Sequence, residues 1–342
     1  MESNRHGQVI DSQFRPAGWL KNRHLQTIYP SIYARGPRPH LQREELELPD
    51  GDVTVVDRLV ANSRQAADAP LLVVLHGLES SSESNYARQL LAAAEARGWR
   101  ALVLHFRDCG DYRNRLPRRY HAGETNDLRF FLNHLRESGE QAPIVTVGYS
   151  LGGNVLLKYL GEEGSASPVS AATAVCVPLS LQRCADALSE GFSKVYQKHL
   201  LKRMKQAVRR KFDPHTAAFD WERAMGAATF EEFDDAVTAP LHGFRGKDDY
   251  YSTCSSLGFL DAVGRPTLII NALDDPFMKP DMLPLAERLS PNVTLEVSQH
   301  GGHVGFIDGG WPWRPRYFLP GRILDFLAAE LETADPSAAP AT

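Results

Sequence analysis

The chain has 342 residues, 43% of them hydrophobic and 23% charged, with 38 Lys and Arg against 42 Asp and Glu for a formal net charge of −4. That balance permits a full buried core and exerts no global pull toward nucleic acid or an anionic membrane. Mean hydropathy is −0.33, no apolar run approaches the roughly 18 residues of a membrane span, and MESNRHGQVIDSQFRPAGW at the start lacks the apolar stretch of a secretory signal, so a soluble protein is expected.

Short β-branched and apolar runs alternate with helical patterns along the chain. The first strand-like run is 71–75 (LLVVL), followed by His76-Gly77-Leu78 and then ESSSES; a second is 101–106 (ALVLHF). From Glu124, residues Leu128, Phe131, Leu132 and Leu135 fall on one face of a helix. The run 144–147 (IVTV) leads into Gly148-Tyr149-Ser150-Leu151-Gly152-Gly153, after which Val155, Leu156, Tyr159 and Leu160 form another helical stripe. A further strand is expected at 171–177. Strand–helix alternation of this kind predicts an α/β fold, a mostly parallel central sheet covered by helices on both faces.

The rhythm breaks after Pro178. From 179 to 263 no strand pattern is clear, but helical stripes recur, one of them carrying Leu201, Met204, Val208 and Phe212 beside Lys202, Arg203, Lys205, Arg209, Arg210 and Lys211. This interval reads as a helical cap inserted over the carboxyl edge of the sheet, where open α/β sheets hold ligands. Its apolar stripes should shape the pocket. The basic stripe from Lys194 to Lys211 reads as a solvated helix face, with a peripheral membrane contact as the alternative. Strands resume at 267–271 (TLIIN) and at 293–298 (VTLEVS). The core is therefore expected from 1–178 and 264–332, with a disordered tail over 333–342 (TADPSAAPAT).

The Gly148–Gly152 motif follows a strand and opens a helix, the context a nucleophile elbow requires. A hydroxyl is a weak nucleophile, so Ser150 needs a base, and the base needs an orienting acid. In chain order Ser, Asp, His, the candidates are Asp275 in Ala272-Leu273-Asp274-Asp275-Pro276 and His303 in His300-Gly301-Gly302-His303. Adjacent residues at a strand end point opposite ways, which leaves Asp274 a structural role, and His300 is the rival base. A His300–His303 metal pair is a further alternative, but no ligand at suitable spacing accompanies it. The backbone N–H groups of Leu78 and Leu151 are the candidate oxyanion donors; His76 is expected to be a structural hydrogen-bonding residue. No cofactor or metal is required, since there is no P-loop, no dinucleotide fingerprint and no zinc-ligand array. Cys109, Cys176, Cys184 and Cys254 are scattered with no CxxC pair, which suits a reducing cytoplasm.

Taken together, NRHLQT at 22–27, HGLESSSES, FRDCG, RYHAGETNDL, GYSLGGNVLLKYLGE, KDDYYSTCSS, NALDDPF and HGGHVGF resemble the YheT-like branch of the α/β-hydrolases, which includes bacterial YheT proteins and related animal abhydrolase-domain proteins. The resemblance runs from about residue 19 to 325. It implies an α/β-hydrolase fold and carboxylic ester hydrolysis, with lipid-like esters the usual suggestion for the family; short- to medium-chain or lipid-like acyl esters are the substrates expected here. By motif it carries the triad roles onto Ser150, Asp275 and His303. One departure is Asp108 in FRDCG, where relatives are expected to have Gly. The expected function is thus a serine esterase acting on a small-molecule ester. An acyltransferase or thioesterase on the same triad, or a non-catalytic binding protein on a hydrolase fold, are the alternatives.

Overall fold

The computed structural model describes residues 6–32, 36–61 and 65–334. Nine strands form one sheet: β1 (Gln8–Asp11), β2 (Leu41–Glu47), β3 (Val53–Leu59), β4 (Leu71–Leu75), β5 (Arg100–Leu104), β6 (Ile144–Tyr149), β7 (Val169–Val175), β8 (Thr267–Ala272) and β9 (Val293–Ser298), in the spatial order β1-β9-β8-β7-β6-β4-β5-β3-β2. All neighbours from β1 to β5 run parallel, and β3 and β2 are antiparallel at one edge. A separate hairpin joins β10 (Ile307–Trp311) to β11 (Arg314–Tyr317).

The helices are α1 (Arg23–Ile32), α2 (Asn85–Ala96), α3 (Asn126–Glu137), α4 (Leu151–Glu163), α5 (Leu181–Leu188), α6 (Ser193–Lys211), α7 (Trp221–Gly226), α8 (Phe230–Phe233), α9 (Ala239–Leu241), α10 (Lys247–Cys254) and α11 (Phe318–Ala334). The alternation of β4 illustrates why the sheet is sealed on both sides. Leu71, Val73 and Leu75 pack with residues of α3 and α4, whereas Leu72 and Val74 pack with Leu90 and Leu91 of α2 and Leu324 and Leu327 of α11. A strand buried on both faces has no polar position to spare, which is why LLVVL is continuous rather than alternating.

Strands β1, β2, β3, β10 and β11 escape the sequence pattern, and β2 and β3 show why. β2 is an edge strand, LQREELE, in which only Leu46 is buried. β3, VTVVDRL, interrupts its β-branched run with Asp57 and Arg58, and both charges are paired: Asp57 with Arg43 and His105, Arg58 with Glu44. Among the described residues the interval from Leu181 to Ala262 contains helices and turns and no strand. At the C-terminus α11 runs through Thr333 and Ala334, so those two residues are helical rather than part of a disordered tail; the expected tail from 335 on lies outside the described residues. No helix among the described residues is long and apolar enough to cross a membrane.

Candidate active site

The turn from β6 into α4 is built around close backbone packing. A Cβ on Gly148 would stand 2.5 Å from the Gly152 carbonyl oxygen, and one on Gly152 would stand 2.5 Å from the His76 carbonyl oxygen. Neither position accepts a side chain. Ser150, between them, has φ 52° and ψ −119°, a conformation that a non-glycine residue adopts only when its surroundings over-determine it. Its N–H donates to the Val175 carbonyl at 2.8 Å, and its Oγ faces the cavity at the amino end of α4, where the helix dipole favours negative charge.

The loop after β9 reaches the same point. His303 Nε2 lies 3.0 Å from Ser150 Oγ and its Nδ1 lies 2.8 Å from Asp275 Oδ2. Asp275 is buried, and its other oxygen accepts the Phe277 N–H at 2.8 Å. The Phe277 ring stacks on the His303 imidazole, centroids 3.9 Å apart and planes at 7°. With the carboxylate fixed at both oxygens and the ring held from one face, His303 has little rotational freedom. Asp274 turns the other way: its Oδ1 accepts the Gly302 N–H at 2.9 Å and its Oδ2 meets the exposed His300 ring at 3.3 Å. Burial raises the Asp274 carboxyl above its ordinary value.

The His303 loop is shaped by a segment nearly three hundred residues away in sequence. The Thr27 Oγ1 of α1 accepts the His303 N–H at 2.9 Å, and Gln26, fully buried, bonds the Ile307 N–H and carbonyl and the Leu20 carbonyl. Gly302 (φ 59°) and Gly305 sit against the α1 backbone so closely that a Cβ would lie 2.5 Å from Arg23 O or 2.2 Å from Gln26 O. Sequence reasoning assigned no role to Gln26, Thr27 or Phe277. NRHLQT was legible only as a motif.

On the opposite side of Ser150, the turn after β4 carries the candidate oxyanion donor. Gly77 gives its N–H to Tyr86 Oη at 2.8 Å; the Leu78 N–H has no protein partner among the described residues, and Leu78 and Leu151 both line the cavity with Ser150. Leu151 is the first residue of α4, where backbone N–H groups lack intrahelical acceptors. The turn is anchored through buried Glu79: its N–H donates to Tyr120 Oη, and its carboxylate accepts from Tyr120 Oη at 2.9 Å and from Arg119 at 2.6 Å. Asp108 shares Arg119 at 2.7 Å. Its φ of 65° is the left-handed region that glycine suits and that Asp tolerates better than most residues, and its carboxylate adds an ion pair at this turn. His76 is fully buried beneath this turn, its Nδ1 at 2.8 Å from Gly77 O and its Nε2 accepting the Phe106 N–H; desolvation pushes it down to about 3, so it stays neutral.

The cavity holds about 130 Å³ of free space and is mostly apolar. Leu181, Leu188, Leu200, Met204, Phe230 and Val237, all from the 181–262 interval, form much of its wall. Leu201 instead is buried in the core beside them. Polar groups collect in another part of the wall: His121 and His242, ring centroids 4.5 Å apart, and Asp234 in a π-helical turn, bonded to Thr238 and Tyr251. Desolvation lowers His121 to about 3 and His242 to about 2, and raises Asp234 to about 6.

A soft metal ion would find Cys176 Sγ, an Asp275 oxygen and a His303 nitrogen within 4.8 Å of one another. Both His303 nitrogens are engaged, however, and burial holds the Cys176 thiol well above its ordinary value and hence protonated. The donor set is poorly prepared for a metal.

Residues 70–310 match the profile of a family described as alpha/beta hydrolase fold. The chain is 44% identical over 326 residues, 94% of each chain, to YheT of Escherichia coli (strain K12), a protein named as an esterase. It is 29% identical over 318 residues to phospholipase ABHD3 of Mus musculus, across 91% of this chain and 77% of that one. Among solved structures, the Pyrococcus furiosus esterase Pf2001 superposes with a TM-score of 0.54 at 17% identity, over 85% of this chain and 93% of that one, a likeness of fold alone.

Proposed function

Because this chain belongs to the α/β-hydrolase fold family, in its YheT-like branch, we propose that it is a carboxylic ester hydrolase with Ser150 as nucleophile, His303 as general base and Asp275 as the acid that orients it. The observation that carries the reading is the continuous line of hydrogen bonds from Asp275 Oδ2 through the His303 ring to Ser150 Oγ, 2.8 and 3.0 Å long. The Asp275 carboxylate accepts from Nδ1–H and leaves Nε2 as the basic nitrogen, facing the serine. Ser150 Oγ attacks the acyl carbonyl as its proton passes to His303 Nε2. The Leu78 and Leu151 N–H groups receive the developing oxyanion. His303 then protonates the departing alkoxide, leaving an acyl-enzyme, and deprotonates the water that releases the acid.

The apolar wall contributed by the 181–262 interval favours an acyl group of lipid-like character. The relatives named as esterase and phospholipase support that class. A fluorophosphonate probe should label the wild type and not Ser150→Ala, and the variant should lose hydrolysis of p-nitrophenyl esters by several orders of magnitude while melting normally. Retained turnover in Ser150→Ala would refute the nucleophile. Met204→Trp should shift the preferred chain length downward by filling the cavity; product analysis with added alcohol or thioester substrates separates hydrolysis from acyl transfer.

A further inference from the structure

Large hydrophobic side chains exposed to solvent are few, and six of the eight among the described residues gather on one side of the molecule: Leu25, Ile32, Phe192, Val195, Trp311 and Trp313, from 51% exposed at Phe192 to 77% at Trp313. The set is physically joined. In α1 the buried positions are Gln26 and Pro30, while Leu25 and Ile32, seven residues apart and so on one helical face, point outward. At one end of this helix His24 packs on Phe192 and Tyr196 at the start of α6. At the other, Tyr29 donates its hydroxyl to the Pro312 carbonyl at the tip of the β10–β11 hairpin. Trp311 and Trp313 flank Pro312, their rings stacked with centroids 5.6 Å apart. Clustered apolar exposure of this kind marks a contact surface.

We propose that α1, the hairpin tip and the first turn of α6 form a docking face for a phospholipid bilayer. The charges select that occupant. Lys21, Arg23, Lys194, Lys198 and Arg314 are exposed around the apolar patch. Neither α1 nor α6 contains an Asp or Glu, although the chain as a whole is net negative. Asp308 and Glu190, on adjoining segments, are already paired with Arg316 and Lys279. A second copy of the chain would bring the same cations against each other across a two-fold axis. Anionic lipid headgroups meet them with opposite charge, and indoles partition to the headgroup boundary. The face also adjoins the catalytic loop: Tyr196 packs on Phe277, which stacks on His303, and Thr27 of α1 holds the His303 N–H. A molecule seated this way has its candidate active site close to the lipid phase.

The test is flotation with vesicles of equimolar phosphatidylcholine and phosphatidylglycerol, compared with phosphatidylcholine alone. The wild type should float with the anionic vesicles, less with the neutral ones, and should be released by salt. The Trp311→Ser/Trp313→Ser double variant should bind on the order of tenfold more weakly to both. Lys194→Glu/Lys198→Glu should lose affinity for the anionic vesicles only. All of these side chains are exposed, so melting temperature and hydrolysis of a water-soluble ester should stay at wild-type values. Absence of flotation, or equal flotation of the tryptophan variant, overturns the proposal. It is also overturned if sedimentation finds a wild-type dimer that the tryptophan variant dissociates, since the face then serves self-association. Flotation reads no catalysis, so vesicle binding by a protein inactive on every ester would leave docking standing and sink the esterase reading.

Discussion

Asp274 and Asp275 are adjacent carboxylates whose removal should have opposite consequences. In Asp275→Asn, the amide oxygen keeps the Phe277 N–H, now received by Asp275 Oδ1 at 2.8 Å. The amide nitrogen then occupies the Oδ2 position and presents a donor to His303 Nδ1, 2.8 Å away. The imidazole must answer with the tautomer protonated at Nε2, which faces Ser150 with a proton and cannot accept another. Loss of the correct tautomer in comparable triads costs about 10⁴ in turnover, or about 5.5 kcal/mol of transition-state stabilisation. In Asp274→Asn, the amide oxygen keeps the Gly302 N–H and only the 3.3 Å contact with the exposed His300 ring is lost. A long contact to an exposed partner contributes at most about 1 kcal/mol, and turnover should stay within roughly fivefold of wild type. The assay is kcat on a soluble p-nitrophenyl ester, run beside thermal melting to confirm that both variants fold. An inactive Asp274→Asn alongside an active Asp275→Asn would refute the reasoning at this turn.

Gly148→Ala should destabilise the fold by about 3 kcal/mol or more, because its Cβ would meet backbone atoms at 2.5–2.7 Å that cannot move aside; an unchanged denaturation midpoint would contradict this. Thr27→Val removes the acceptor of the His303 N–H and should lower kcat about tenfold at unchanged KM, with Thr27→Ser restoring it; equal loss in the serine variant would point to packing instead. Burial raises Asp234 from 3.8 to about 6, so the folded protein binds that proton more tightly than the unfolded chain. The stability it confers is therefore complete below about pH 4 and lost as pH rises through 6, a change on the order of 3 kcal/mol. Asp234→Asn should accordingly gain stability over wild type between pH 5 and pH 8 in urea titrations, and a pH-independent difference would remove the argument.

Sequence periodicity and turn chemistry were enough to read the parallel sheet, because strands buried on both faces must be continuously apolar and an elbow must have small residues around its serine. LLVVL, the IVTV strand before GYSLGG, and the helix stripe of Leu128, Phe131, Leu132 and Leu135 all carry their environment in their composition. The edge strand β2 and its neighbour β3 did not, since their charged residues find partners on neighbouring segments that only the folded chain brings alongside. The candidate triad was legible as an order of residue types. What no local pattern contains is the support around it: Thr27 and Gln26 gripping a loop 276 to 281 residues further on, Phe277 stacked on His303, and Glu79 locked by Tyr120 and Arg119. The outward turn of Leu25 and Ile32 belongs with these. A helix with a clear apolar stripe is ordinarily expected to bury it, yet α1 buries Gln26, whose amide satisfies backbone groups of the loop carrying His303, and the stripe is left facing out. Local sequence sets which faces an element has; which face meets the core is decided by long-range partners that must be satisfied when water is excluded.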